Sequence, residues 1–159
     1  MASWLTKFIQ ESNRIEGIIR DVRSHELQVH SDFLCLDEIR IGDLENVVQR
    51  IAGAPLRTLP GMNVRVGSHI PPPGGSGIRE SLQGILDIAN REISTKTPYR
   101  THVAYESLHP FMDGNGRSGR LLWLWQMERL AIEMEWGSQP WREIGFLHYF
   151  YYQSLESGR

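Results

Sequence analysis

The sequence predicts an all-α domain with one short β-hairpin, and three observations carry the prediction. Apolar residues return at three- and four-residue spacing in several separate stretches, the period of helices with one buried face. One run, Leu121-Leu122-Trp123-Leu124-Trp125, is apolar nearly all round, as a helix in the middle of a domain must be. Strand-like runs are confined to a single proline- and glycine-rich segment, residues 58–75.

Each element follows in chain order. Trp4, Leu5, Phe8, Ile9 and Ile15 mark a first helix, and Leu36, Ile39, Leu44, Val47, Val48 and Ile51 a second that Gly53 ends. In TLPGMNVRVGSHIPPPGG, the runs Val64 to Val66 and Ser68 to Ile70 flank Gly67 and predict an exposed hairpin whose prolines prevent a long ladder. Ile78, Leu82, Ile85, Leu86, Ala89 and Ile93 predict the next helix, with Ser76 as its cap. Pro98 opens and Pro110 closes a helix over Tyr99 to Leu108, which leaves His109 at its exit. The buried helix starts after Gly116, and an aromatic-rich helix over about Trp141 to Leu155 completes the set.

No repeat or low-complexity tract breaks this series, so 159 residues read as a single domain, 1–159. Seventeen Lys and Arg against nineteen Asp and Glu give 17 − 19 = −2, so no global basic field points to nucleic acid and any anion site must be local. The one cysteine, Cys35, stands among Phe33, Leu34 and Leu36, which predicts a buried, reduced thiol. The start, MASWLTKFIQESNR, lacks the apolar run of a signal peptide, and no stretch is long enough to cross a bilayer. The expectation is a cytoplasmic protein with no membrane partner, delivery by a specialised secretion machine being left open.

Residues 109–120, HPFMDGNGRSGR, concentrate the chemistry. Gly114-Asn115-Gly116-Arg117-Ser118-Gly119 fits G-x-G-x-x-G, yet a dinucleotide fingerprint needs a buried strand before it, and HPFMD is not one. In Asp113-Gly114-Asn115-Gly116 each residue type tolerates left-handed backbone, which suits an anion-binding nest opening onto a helix N-terminus. Arg117 and Arg120 share a helix face at a terminus where the dipole disfavours cations, a conflict that a ligand with several phosphates resolves. Asp113 beside them suits Mg²⁺, which takes one or two carboxylates and completes its shell with phosphate oxygens and water. His109 titrates in the range of a general base for a hydroxyl, and Phe111 is expected to anchor the loop in the core.

HPFMDGNGR with Arg120 three residues on resembles the Fic family motif, H-P-F-x-D-G-N-G-R-x-x-R, at every position. The resemblance implies a Fic-type helical core, with the hairpin as a flap before the catalytic loop. It also implies AMP transfer from ATP·Mg²⁺ to a Ser, Thr or Tyr hydroxyl of a target protein, with release of pyrophosphate. By position, His109 would be the base and Asp113 the metal ligand; Gly114, Asn115 and Gly116 would cradle the phosphates, Arg117 would neutralise them, and Arg120 would reach the γ-phosphate. The flap, with Val66, Gly67, Ser68, His69 and Ile70 as its edge, would hold the target as an added strand, which demands little of the target's side chains.

Near the N-terminus, Ser12-Asn13-Arg14-Ile15-Glu16-Gly17 resembles the family's inhibitory pattern, [S/T]-x-x-x-E-[G/N], within a helix over about residues 1–20. That implies an autoinhibited protein adenylyltransferase in which Glu16 pairs with Arg120 and, as in some relatives, takes part in removing AMP again. Other nucleotidyl or phosphoryl transfer on the same scaffold, and a catalytically silent binding module, are the alternatives; a homo-oligomer is left open. His25 with His30, and His102 with His109, lack partners at zinc-like spacing, so no zinc site is assigned. Trp123, Trp125, Trp136 and Trp141 are assigned to packing.

Overall fold

Six helices and one 3-10 turn make up the described residues, 3–142, of the computed structural model. They are α1 (Trp4–Ile15), α2 (Ser24–Leu34), α3 (Ile41–Ala52), α4 (Ser76–Arg91), α5 (Thr97–Leu108) and α6 (Asn115–Glu133), followed by the turn Pro140–Arg142. The helix expected to Leu155 lies, beyond Arg142, outside the described residues. Among those residues no helix is long and apolar enough to cross a membrane.

The organising element is α6, whose Leu121 to Trp125 are each at most 1% exposed. Two cores form on it. Leu121, Leu122 and Trp125 join the buried faces of α2 to α5, among them Val29, Leu44, Val48, Leu82, Leu86 and Tyr105. Trp123, Leu124 and Met127 join Leu5, Phe8 and Ile9 of α1 together with Trp141. Helix α5 lies against α6, and Gly119 is what allows the close approach: a Cβ there would stand 2.4 Å from Glu106 Oε1 and 2.9 Å from Tyr105 Cδ1. The Tyr105 hydroxyl donates to Ser118 Oγ (2.7 Å), which in turn donates to the Gly114 carbonyl (2.8 Å).

Five points differ from expectation. Helix α2 was not anticipated, because SHELQVHSDFL buries only Val29 and Phe33 as apolar residues, with Glu26 and His30 buried beside them. Leu36 and Ile39 precede α3 instead of belonging to it; Ile39 is buried nevertheless, its main chain clamped by Asn90 of α4 through N–H to Oδ1 (2.9 Å) and Nδ2 to carbonyl (2.8 Å). Cys35 is exposed at the C-cap of α2, two residues past the buried Phe33. Ser76 is the first helical residue of α4 and caps nothing, Gly75 holding the cap position; Ile93 lies past the end of α4, 38% exposed.

The flap is slighter than a ladder. Among the described residues no extended strand forms, and residues 58–75 contain one antiparallel bridge, Val66 to His69, closed around Gly67 in left-handed backbone (φ 59°). Val66 donates its N–H to the His69 carbonyl (3.0 Å) and receives one back (2.9 Å).

Candidate functional site

The 109–120 segment is a loop braced at both ends. Helix α5 stops at His109, a non-glycine residue held in left-handed backbone (φ 51°, ψ 63°), before Pro110 forbids a further turn. Phe111 is fully buried, as expected, and pairs with Leu56 in an antiparallel bridge that the Met112 N–H extends to the Pro55 carbonyl (3.0 Å). Asn115 reaches back to the same residue: Phe111 N–H donates to its Oδ1 and its Nδ2 donates to the Phe111 carbonyl, both at 2.8 Å. Its side chain is thus engaged in shaping the loop, which leaves only its main-chain N–H for an anion.

Gly114 (φ 80°) is the single left-handed residue between Asp113 and Gly116, and it opens α6 without a side-chain cap. The first N–H groups of α6 therefore form the positive end of a long buried helix. Onto this end comes α1. Gly17 (φ 75°) ends α1 in a Schellman turn, with Gly17 N–H on the Arg14 carbonyl (3.0 Å) and Ile18 N–H on that of Asn13 (2.9 Å), which fixes Glu16 as the C-cap. Arg120, 8% exposed, donates from Nε to Ser12 Oγ (2.8 Å) and from Nη2 to the Ser12 carbonyl (3.1 Å) and Glu16 Oε1 (2.6 Å). A Cβ on Gly116 would stand 2.1 Å from that same Glu16 oxygen, so the carboxylate lies against the first turn of α6, in the place of an anion.

Arg117 takes a different direction from the one its spacing suggested. Its Nη1 donates to the Ile51 carbonyl at the end of α3 (2.9 Å), while its Nε is buried with no partner. Burial lowers its pKa first of all, against which Asp113, Glu16 and Glu26 act to raise it. An unpaired guanidinium N–H inside a site is a group waiting for an acceptor, and phosphate oxygen is the acceptor its geometry suits. Asp113 is exposed; its Oδ1 accepts the Gly114 N–H (2.8 Å), and its other oxygen has the freedom a single-carboxylate Mg²⁺ site needs. Among the described residues no group of three or more His, Cys, Asp and Glu could hold a metal ion by itself.

His109 is half-buried, and its Nδ1–H donates to the Glu106 carbonyl (3.3 Å), which leaves the lone pair on Nε2. Its pKa is lowered, chiefly by burial, with Arg57 and His69 adding to the effect and the Glu106 carbonyl and Glu16 opposing it. The imidazole is therefore neutral at neutral pH. Glu106, one helical turn before it, has Oε1 buried without a partner, and burial pushes its pKa up to about 7, with Glu16 adding to the rise and Arg120 opposing it. At the flap, His69 donates from Nε2–H to the Ser107 carbonyl (2.9 Å), so it ties the flap to α5, while Val66 and Ile70 stay exposed.

A model of the Fic/DOC family matches residues 35–127, from just after α2 into α6 and across the whole of 109–120. The chain belongs to the Fic/DOC family. A comparison with curated proteins finds no match. The Fic match leaves out α1, so Ser12 and Glu16 come to the site from outside it. His109, Asp113, Gly114, Asn115, Gly116, Arg117 and Arg120 are brought together with them, and of the flap residues His69 is bonded to Ser107 at the exit of α5. Sequence reading missed Arg57 and Glu106: a lone arginine in an apolar run and a glutamate on a helix carry no motif that burial alone would announce.

Proposed function

We propose that the chain is an autoinhibited protein adenylyltransferase that moves AMP from ATP to a hydroxyl side chain of a target protein. The observation that carries this reading is the Glu16 carboxylate against Gly116 and Arg120: an internal anion lying at a helix N-terminus built to receive an external one. Neutral His109, with Nε2 free, takes the proton of the target hydroxyl. That oxygen bonds to the α-phosphorus as the bond to the bridging oxygen breaks and pyrophosphate leaves. Arg117 and the N–H groups of α6 hold the phosphates, and Arg120, once free of Glu16, takes the terminal one. Asp113 would hold Mg²⁺, which when bound offsets phosphate charge. The exposed flap presents the target segment as an added strand on the Ile70 side, since Val66 spends its own N–H and carbonyl on His69.

The test is to incubate wild type, Glu16→Gly and Glu16→Gly with His109→Ala, each with Mg²⁺ and one of the four nucleoside triphosphates, and then weigh the intact protein. We expect one or more AMP units on Glu16→Gly alone, with ATP alone. Mass added equally to wild type would remove the inhibitory role of Glu16, and mass retained by the His109→Ala protein would remove the base. No added mass from any nucleotide, with a hydroxyl-bearing peptide library also unmodified, overturns the transfer reading.

A further inference from the structure

The side chain of Arg57 is fully buried, and none of the four ion pairs among the described residues includes it. A cation in that position carries a desolvation cost that simple packing would avoid with an apolar residue of similar size. Its partners are carbonyl oxygens: Nε donates to His109 (2.7 Å), Nη2 to Leu108 (2.9 Å) and Nη1 to Met62 (3.0 Å). Two of these are the terminal carbonyls of α5, where the helix dipole favours a positive charge. The third belongs to the base of the flap. The main chain of Arg57 repeats the pattern, its N–H donating to the Pro110 carbonyl (2.9 Å) and its own carbonyl accepting from Gly75, where the flap returns (3.0 Å).

One residue thus joins the exit of α5, the left-handed turn at His109 and both ends of the flap. The guanidinium fork is planar and its donor directions are fixed, so it sets the relative positions of three carbonyls, which a lysine ammonium would not. We infer that Arg57 is a positioning residue that holds the flap at a fixed separation and angle from His109, so that a hydroxyl on a flap-bound segment meets the imidazole. What the flap presents rests on the transfer reading above; the brace itself does not. Close by are His69, whose ring ties the far side of the flap to Ser107 and which with Arg57 disfavours protonation of His109, and Glu16, which opposes them.

The experiment uses Arg57→Gln and Arg57→Lys, each in the Glu16→Gly chain. Three readouts are taken: hydrogen exchange of the Val66 and His69 amides, NMR titration of the His109 ring, and the initial rate of self-modification with saturating ATP, alongside ATP affinity. Arg57→Gln should speed flap exchange at least tenfold, raise the pKa of His109 and slow transfer at least tenfold, with ATP affinity within twofold of the parent. Arg57→Lys keeps the charge and loses the fork, so exchange should quicken and transfer slow while the His109 titration stays near the parent's. A role in packing alone would lower the melting temperature of both variants without that split. Flap exchange and His109 titration matching the parent in both variants, or in the lysine variant if glutamine fails to fold, would overturn the proposal. If Glu16→Gly itself transfers nothing, the transfer reading falls, and exchange and titration still decide the role of Arg57.

Discussion

Glu16→Gln separates the charge of the proposed inhibitory contact from its shape. The glutamine fills the same space and still accepts from Arg120, and Ser12 keeps its two bonds to the guanidinium at 2.8 and 3.1 Å, so Arg120 stays in place. What disappears is the anion against Gly116. The Glu16–Arg120 pair is short, 2.6 Å, with the Arg120 side chain 10% exposed but that of Glu16 38% exposed. A buried charged hydrogen bond contributes about 1.5–3 kcal/mol and an exposed pair about 0–1 kcal/mol; with solvent screening on the glutamate side, about 1–2 kcal/mol is the fitting range. A terminal phosphate that must displace the carboxylate is weakened by that amount, so Glu16→Gln should tighten ATP binding by about 5- to 30-fold. Isothermal titration with ATP and with AMP is the assay, since AMP lacks the phosphates that reach Arg120 and should gain little. An ATP affinity unchanged within twofold, or an equal gain for AMP, would refute the competition argument.

Two further predictions concern the α5–α6 contact. Burial raises the pKa of Glu106 to about 7 from the ordinary 4.5, so the folded chain holds a proton that the unfolded chain has released over that window. Stability is therefore full below about pH 4.5 and falls as pH rises to about 7, by roughly 3 kcal/mol at most. Glu106→Gln should melt higher than wild type at pH 8 and close to it at pH 4.5; an equal difference at both would discard the buried-carboxyl account. Gly119→Ala places a methyl group 2.9 Å from Tyr105 Cδ1, a ring that cannot yield because it is fully buried and bonded to Ser118. We expect a loss of about 1–3 kcal/mol in denaturant unfolding, and a stability within 0.5 kcal/mol of wild type would mean that α5 and α6 separate more easily than their packing indicates.

The sequence made the helices legible where burial follows a period. Ile78, Leu82, Leu86 and Ala89 recur on one face of α4, and the all-apolar run of α6 had no place to go but the middle of the domain. It was silent where polar residues are buried. Helix α2 hides Glu26 and His30, and besides the Arg23 N–H at the cap of its own helix Glu26 is held by Asn13 of α1 and by Arg20, contacts from outside α2 that its own pattern does not encode. The same distinction divides the site. His109, Asp113 and the glycines are contiguous and speak through their spacing, whereas the engagement of Asn115 with Phe111, of Arg117 with Ile51 and of Arg57 with three carbonyls depends on which backbone passes nearby. Residue type told which groups can bind phosphate; only the fold told which are already occupied.

The position of α1 also bears on how inhibition, as proposed, would be relieved. Leu5, Phe8 and Ile9 are 8%, 4% and 1% exposed against Trp123, Leu124 and Met127, and burial of three such side chains contributes roughly 5–9 kcal/mol. Undocking the whole helix would forfeit that and open the core shared with α6. Withdrawing Glu16 from Arg120 opposes only about 1–2 kcal/mol, and the residue sits at the C-cap, where a Schellman turn on Gly17 holds it by two hydrogen bonds. The difference favours a local change: the last turn of α1 frays or swings while Leu5 to Ile9 stay docked. Any activating ligand or partner would then act on the segment around Gly17 to Ile19, where Ile19 is 83% exposed, and need not compete with the core.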